Sequence, residues 1–302
     1  MQSQSILEEK IKRIESIFTV SKIIDRESNS TNDIQKYYRI NDLAYRLFHS
    51  NKGFMHFRVS KESVLKDDDI LYQVDVISKY IKNNATVLEL GSGQSANIIY
   101  LAKKHLNSFF IGVVLYPKKI KNKLKRNIKI YKHDYSDLSF IEDNSIDLVY
   151  GIETLVHSSN KEKVFKEITR VLKEDGILIL YGYTLKKKLK DYLPYEQTAM
   201  KIMSKTGAAA LIESFDSWNK YIKNTGFTEI KTSDLHQYIL PDLKRLEQKA
   251  NHIMRKYIRI KICKFLLPKT FVNNIIMGWL GFDAYNEGIG YYNEWIYQKP
   301  KD

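Results

Sequence analysis

The sequence predicts an α/β protein with a doubly wound parallel sheet, extended by helices at its N-terminus and before its last strand. Three observations carry this expectation. Short apolar runs alternate with amphipathic stretches through the middle of the chain, the first run ends in a Gly-Ser-Gly turn that opens a helix, and the flanking regions carry helical periodicity.

From Ser5 to Phe18 the residues Leu7, Ile11, Ile14 and Phe18 recur at helical spacing. Helical patterns follow over Asp33 to His49 and Asp68 to Lys82, the latter with Ile70, Leu71, Val74, Ile77 and Ile81 on one face. At Thr86 the pattern changes: Thr86-Val-Leu-Glu-Leu90 reads as a strand, Gly91-Ser-Gly93 as a turn and Asn97 to Ala102 as a helix. Further strands are expected at Phe109 to Leu115, Ile128 to Tyr131, Ile146 to Tyr150 and Ile177 to Tyr181. Before the last of these lies a helix, Lys161 to Leu172, with Val164, Phe165, Ile168 and Val171 turned inward. Helices around Glu196 to Ser204 and Ser217 to Asn224 precede a sixth strand, Phe227 to Thr232; residues 242–285 read as helical, and Tyr291 to Tyr297 alternates like a closing strand. No repeat or Pro/Gly/Ser linker interrupts the chain, so one domain is expected over 1–302: a helical cap (1–80), a core (81–184) and further helices with the last strands (185–302).

Composition narrows the function classes. The 302 residues carry 49 Lys+Arg against 35 Asp+Glu, a net charge of +14, with 43% hydrophobic residues, which excludes a disordered chain. A lone cysteine, Cys263, excludes an internal disulfide framework and zinc sites built on paired cysteines; a cytoplasmic setting is expected. The opening residues mix acids and bases where a secretory leader needs an unbroken apolar run, and no stretch approaches the roughly 20 apolar residues of a membrane span. The positive charge fits a nucleic acid, an acidic lipid surface or an anionic substrate, and equally a biased codon usage rich in Lys, Ile and Asn.

A strand ending in an acid, then Gly-x-Gly and a helix, lets backbone approach a ligand closely and adds N–H donors from the helix start. By itself such a turn is as often an ordinary β–α connection. Here VLELGSG is followed in order by GVVLYP, KHDYSDLSFIEDNSIDLVYGIETLVH and RVLKEDGILIL, and this series resembles the class I S-adenosylmethionine-dependent methyltransferases over residues 80 to 184. The resemblance implies a Rossmann-like, seven-stranded methyltransferase sheet with S-adenosylmethionine as cofactor. It implies that Gly91 and Gly93 border the methionine part, Glu89 its amino end, Leu115 the ribose, and Asp134 with Tyr135 the adenine. In most of the family the second strand ends in an acid that holds the ribose hydroxyls; here Val114 stands there. GVVLYP is similar in this respect to the sterol, tocopherol and cyclopropane-fatty-acid branch, and so are HDYSDL, IETLVH and the segment YYRINDLAYRLFHSNKGFMHF, which by analogy places Tyr37, Tyr38 and His56 in a cap over the cofactor.

Methyl transfer is an in-line displacement, so the enzyme mainly holds acceptor and methyl in line and removes a proton where one is lost. Glu153 and His157 are the catalytic candidates: they follow the fourth strand and, four apart on one helical turn, would face the same way. Their plain alternatives are a helix cap and a structural histidine. The other histidines show no ligand spacing, and no metal site is assigned. Trp218, Trp279, Tyr285, Tyr291 and Tyr292 fit either an aromatic acceptor cavity or core packing. From Met254 to Pro268 bases interleave with large apolar residues; as a helix, this puts Met254, Tyr257, Ile258, Ile262 and Phe265 along one side. One account packs that stripe on the sheet; the other makes this segment and LKKKLK at 185–190 a basic rim to an apolar entrance, in peripheral contact with an anionic membrane. The expected partner is a small lipophilic, anionic acceptor, with carbon methylation favoured. The alternatives are a noncatalytic cofactor-binding scaffold, suggested by Val114, and a nucleic-acid methyltransferase, which GIET disfavours because it stands where base-modifying enzymes carry Asn/Asp-Pro-Pro-aromatic.

Overall fold

Seven strands form one sheet in a computed structural model that describes residues 5–25, 39–41, 49–62, 64–117, 126–210 and 212–301. They are β1 (Thr86–Leu90), β2 (Phe109–Val114), β3 (Ile128–Lys132), β4 (Ile146–Ile152), β5 (Leu172–Leu185), β6 (Thr228–Asp234) and β7 (Gly290–Gln298). Their order is β3-β2-β1-β4-β5-β7-β6, parallel except for β7, which runs antiparallel between β5 and β6. The order reverses at β1, which leaves a crevice at the carboxyl ends of the strands.

Both faces of the sheet are covered, as the unbroken apolar runs require. Alternate residues separate them: Val87 and Phe110 enter one core, Leu88, Leu90 and Val113 the other. On the first face pack α1 (Ile6–Glu15), α2 (Tyr72–Ser78) and α3 (Ala96–Lys104); on the second pack α4 (Lys161–Val171) and a later helix over Phe215–Lys223. Helix α4 starts where the Asn160 side chain accepts from the Lys163 N–H, and it buries Val164, Phe165, Ile168 and Val171. Apart from the single turn Ser21–Ile24, the remaining α-helices among the described residues are α5 (Pro194–Thr206), α6 (Phe215–Lys223), α7 (His236–Met254), α8 (Tyr257–Leu266) and α9 (Lys269–Asn286).

Several boundaries differ from the sequence expectation. The helix expected over 68–82 is a 3-10 turn, Asp67–Leu71, followed by the short α2. Strand β5 starts at Leu172 rather than Ile177, because Asp175 takes a left-handed φ of 58° and returns the chain to the sheet. The helical stretch 242–285 is three helices, broken around Arg255 and at Leu267-Pro268. The helix expected over 33–49 lies largely outside the described residues, as do Tyr37 and Tyr38.

The N-terminal helix is pinned from inside. The Lys10 ammonium of α1 is buried and donates to Glu247 Oε1 (2.7 Å) on α7, to the Trp279 carbonyl (2.8 Å) and to Asp283 on α9. One cation thus ties α1, α7 and α9 together.

Candidate active site

A cavity of about 840 Å³ opens at the carboxyl ends of β1, β2 and β4. Gly91, Gly93, Leu115, Asp134 and Tyr135 line it, and so do Glu153 and His157. Of the remaining sequence candidates, Glu89 is buried behind the wall and Tyr38 is not among the described residues.

The glycine turn is shaped by its conformation. Gly91 and Gly93 take φ of 68° and 51°, which L side chains rarely adopt. A Cβ on Gly91 would lie 1.9 Å from Thr154 Oγ1, so the β1 and β4 loops touch only because that atom is missing. The Ser92 N–H donates to the Val113 carbonyl at 3.0 Å, which fixes the turn against β2. Thr154 is also where the third loop joins: the Tyr135 hydroxyl donates to its carbonyl at 3.0 Å, and burial pushes that phenol up. Asp134 shapes its own loop by accepting from the Ser136 N–H at 2.8 Å.

A polar chain runs from the cavity to the sheet. His56 Nε2–H donates to Asn97 Oδ1 at 3.1 Å, and Asn97 Nδ2 donates to Glu89 Oε1 at 3.1 Å. Burial drives both ends toward neutrality: His56 falls to about 4 and Glu89 rises to about 7. Asn97 and His56 line the cavity, and Glu89 acts through them.

Glu153 does not stand on a helical turn with His157. It has a left-handed φ of 54°, its N–H donates to the Tyr181 carbonyl (2.8 Å), and the helical turn that follows is a 3-10 turn, Leu155–His157. Its carboxylate accepts from the Phe57 N–H (2.8 Å) through Oε1 and from the Tyr183 hydroxyl through Oε2. Burial raises Glu153 to about 8, against the opposing pull of the Phe57 N–H and the Tyr292 hydroxyl. His157 Nδ1–H donates to the Ala208 carbonyl at 2.9 Å, and burial lowers the ring, keeping it neutral.

Beyond Glu153 the wall becomes apolar. Helices α5, α7 and α9 supply Met203, Leu243, Leu246, Ile253, Ile275 and Met277. Of the late aromatics named from the sequence, Tyr285 alone lines this cavity. Trp218 stacks on Trp295 at 5.2 Å in the second core, Trp279 Nε1 donates to Asn251, Tyr291 stacks on His236 at 4.6 Å, and Tyr292 is wholly buried beside Phe57 and Tyr183. Among the described residues, Arg39 and Lys249 are the Lys and Arg side chains that line the cavity, and neither the lysines of 186–190 nor the bases of α8 do so.

The residues present suit S-adenosylmethionine. The glycine turn is a cradle that a Cβ would fill, the end of β2 offers backbone at Val114 and Leu115, and Asp134 adds a carboxylate facing the same space. Comparison with known proteins decides the class: residues 88–180 match a family described as "Methyltransferase domain". The chain carries a class I S-adenosylmethionine-dependent methyltransferase domain. This domain is 31% identical over 125 residues to a sterol 24-C-methyltransferase of Schizosaccharomyces pombe, an alignment covering 41% of this chain and 32% of the relative. The chain therefore spans about a third of the length of that curated relative. Among solved structures, the fold matches a cyclopropane synthase of Mycobacterium tuberculosis (TM-score 0.71, 15% identity, 90% of this chain and 99% of that one). It also matches a geranyl diphosphate C-methyltransferase of Streptomyces coelicolor in complex with Mg2+, geranyl diphosphate and S-adenosyl-L-homocysteine (TM-score 0.63, 11% identity, 89% and 97%).

Asn97, Tyr183, Phe57, Arg39 and Lys249 were not among the sequence candidates. Asn97 had a signal, since it is the polar residue at the start of an otherwise apolar helix on the glycine loop. Tyr183 lies at the carboxyl end of a parallel strand, where open α/β sheets bind ligands. Phe57 reaches Glu153 through its backbone N–H, which no side-chain motif reports.

Proposed function

We propose that the protein methylates a carbon atom of a small lipophilic acceptor bearing an anionic group. The observation that carries this reading is the continuity of one cavity from the glycine turn to an apolar wall, with Glu153 between the two ends. S-adenosylmethionine, when bound, supplies an electrophilic methyl on a sulfonium. Gly91 and Gly93 would receive its methionine part by backbone, Asp134 and Tyr135 its adenine, and the chain at Leu115 its ribose.

An apolar wall excludes water and holds the acceptor carbon in line with the methyl, which by itself supplies much of the rate. As the new bond forms, positive charge develops on an alkene acceptor, and a buried carboxylate stabilises it far better than solvent would. Glu153 is placed for that role and for taking the proton that leaves; a pKa near 8 makes it a competent acceptor. His157, neutral and fixed to Ala208, orients the opposite wall. Arg39 and Lys249 in the cavity lining favour an acceptor with a carboxylate or phosphate.

The test is incubation of the protein with methyl-labelled S-adenosylmethionine and a total lipid extract, followed by mass spectrometry. An apolar anionic species that gains one methyl on carbon supports the reading. Label found only in polar metabolites or nucleic acid overturns it.

A further inference from the structure

Helix α8 presents its apolar face to solvent. The sequence allows its stripe to pack on the sheet, but only Ile260 of this helix is buried, while Ile258 is 72% and Phe265 88% exposed, with Ile262 and Leu266 exposed between and beside them. Residues 258, 262, 265 and 266 are one helical face. The helix is nonetheless held: Ile260 anchors it in the core, Arg259 donates to the His252 carbonyl (3.0 Å) and Lys264 to the Ile17 carbonyl (3.2 Å).

The charge around this face is of one sign. From Gln248 to Phe282 the chain has no acid and seven bases. Among the described residues, Arg255, Lys256, Arg259 and Lys261 form no ion pair with a carboxylate. An apolar ridge flanked by unneutralised cations is the signature of a helix lying in a membrane interface, with its apolar side among the acyl chains and its bases at the phosphates. The chain entering α8 at Ile253 and the chain leaving it at Phe271 both line the cavity, so the ridge and the apolar end of the cavity adjoin.

We propose that α8 docks the protein on an anionic lipid bilayer, from which the acceptor enters the cavity. This deepens the reading of a lipophilic acceptor and rests on it for what is drawn from the bilayer; the docking itself rests on the exposed ridge and its charge.

Vesicle flotation with the full chain tests it, using phosphatidylcholine alone and phosphatidylcholine mixed with an equal share of phosphatidylglycerol. Binding to the mixed vesicles, falling with salt, is expected. Each base near the surface is worth about fivefold in partitioning, so Arg255→Gln, Lys256→Gln and Lys261→Gln together should cost on the order of a hundredfold. Ile262→Ser with Phe265→Ser, at exposed positions that leave the core intact, should cost at least tenfold. Equal binding of wild type and both variants, or equal binding to neutral vesicles, overturns the docking. So does a dimer in sedimentation that Phe265→Ser dissolves, since a second copy would then be what covers the ridge. Calorimetric binding of S-adenosylhomocysteine, measured on the same samples, reports the cofactor site separately: its loss in wild type would sink the methyl-transfer reading and leave the docking result standing.

Discussion

The Tyr183 hydroxyl donates to Glu153 Oε2, joining the end of β5 to the end of β4, while the Phe57 N–H closes the other carboxylate oxygen at 2.8 Å. These two donors hold the carboxylate in one orientation, and burial sets its affinity for a proton. The pairing explains how a residue at an uncommon left-handed φ keeps a fixed side chain inside an apolar cavity.

Removing the carboxylate and removing its partner should therefore differ. Glu153→Gln is expected to lower turnover by about a hundredfold or more with cofactor affinity nearly unchanged. Tyr183→Phe should cost about tenfold and move the pH profile. Steady-state kinetics with S-adenosylhomocysteine titrations separates the two, and equal turnover in all three proteins would leave Glu153 a structural residue.

The pH dependence follows from the direction of the shift. Glu153 is raised from the ordinary 4.5 to about 8, so a step that needs it ionised speeds up as pH rises toward 8 and levels off above. Stability runs the other way: the raised value favours the fold fully below about 4.5, and that contribution is lost as pH rises through 8. Glu153→Gln should remove this loss, narrowing the stability difference between pH 5 and pH 8.5 in urea unfolding. An unchanged difference in the variant would assign the titration elsewhere.

At the glycine turn, Gly91→Ala puts a methyl group 1.9 Å from Thr154 Oγ1 at a φ of 68°. A cost of about 2 kcal/mol or more in stability and at least tenfold in S-adenosylhomocysteine affinity is expected. Thr154→Ala in the same chain removes the clashing oxygen and should recover part of both. Binding by Gly91→Ala at wild-type strength would contradict the described contact.

Val114 lies on the cavity wall at the end of β2. Val114→Asp adds a carboxylate where the ribose is expected, so cofactor binding should persist or tighten. Abolished binding with an intact circular dichroism spectrum would show that the ribose lies elsewhere.

The buried ammonium gives a stability prediction. Lys10→Met leaves the buried Asp283 without its cation and Glu247 with Lys244 and Asn251 as its remaining partners, and removing one member of such a buried cluster typically costs about 3–5 kcal/mol. A shift in urea midpoint equivalent to under about 1 kcal/mol would mean that α1 adds little to the packing of α7 and α9.

Much of the fold was legible in the sequence because its signals are local. A β1 of five residues, a turn of Gly-Ser-Gly and an apolar helix start need only neighbours along the chain to declare themselves, whereas Leu115, Asp134 and Tyr135 join Gly91 and Gly93 as one group through the resemblance to the methyltransferase family. They meet because parallel strands bring the loops at their carboxyl ends to one edge of the sheet. The remainder was decided by packing between distant segments. Asp242 is matched to Arg58 across 184 residues, and Glu153 finds the Phe57 N–H across 96. The period of α8 reveals that a stripe exists but carries no information on which side has a neighbour. The stripe could have packed on the sheet; it faces outward because α7 and α9 pack directly against each other and leave α8 outside, with Ile260 alone reaching inward. Burial depends on which other surfaces arrive, and that is a property of the whole chain rather than of any window within it.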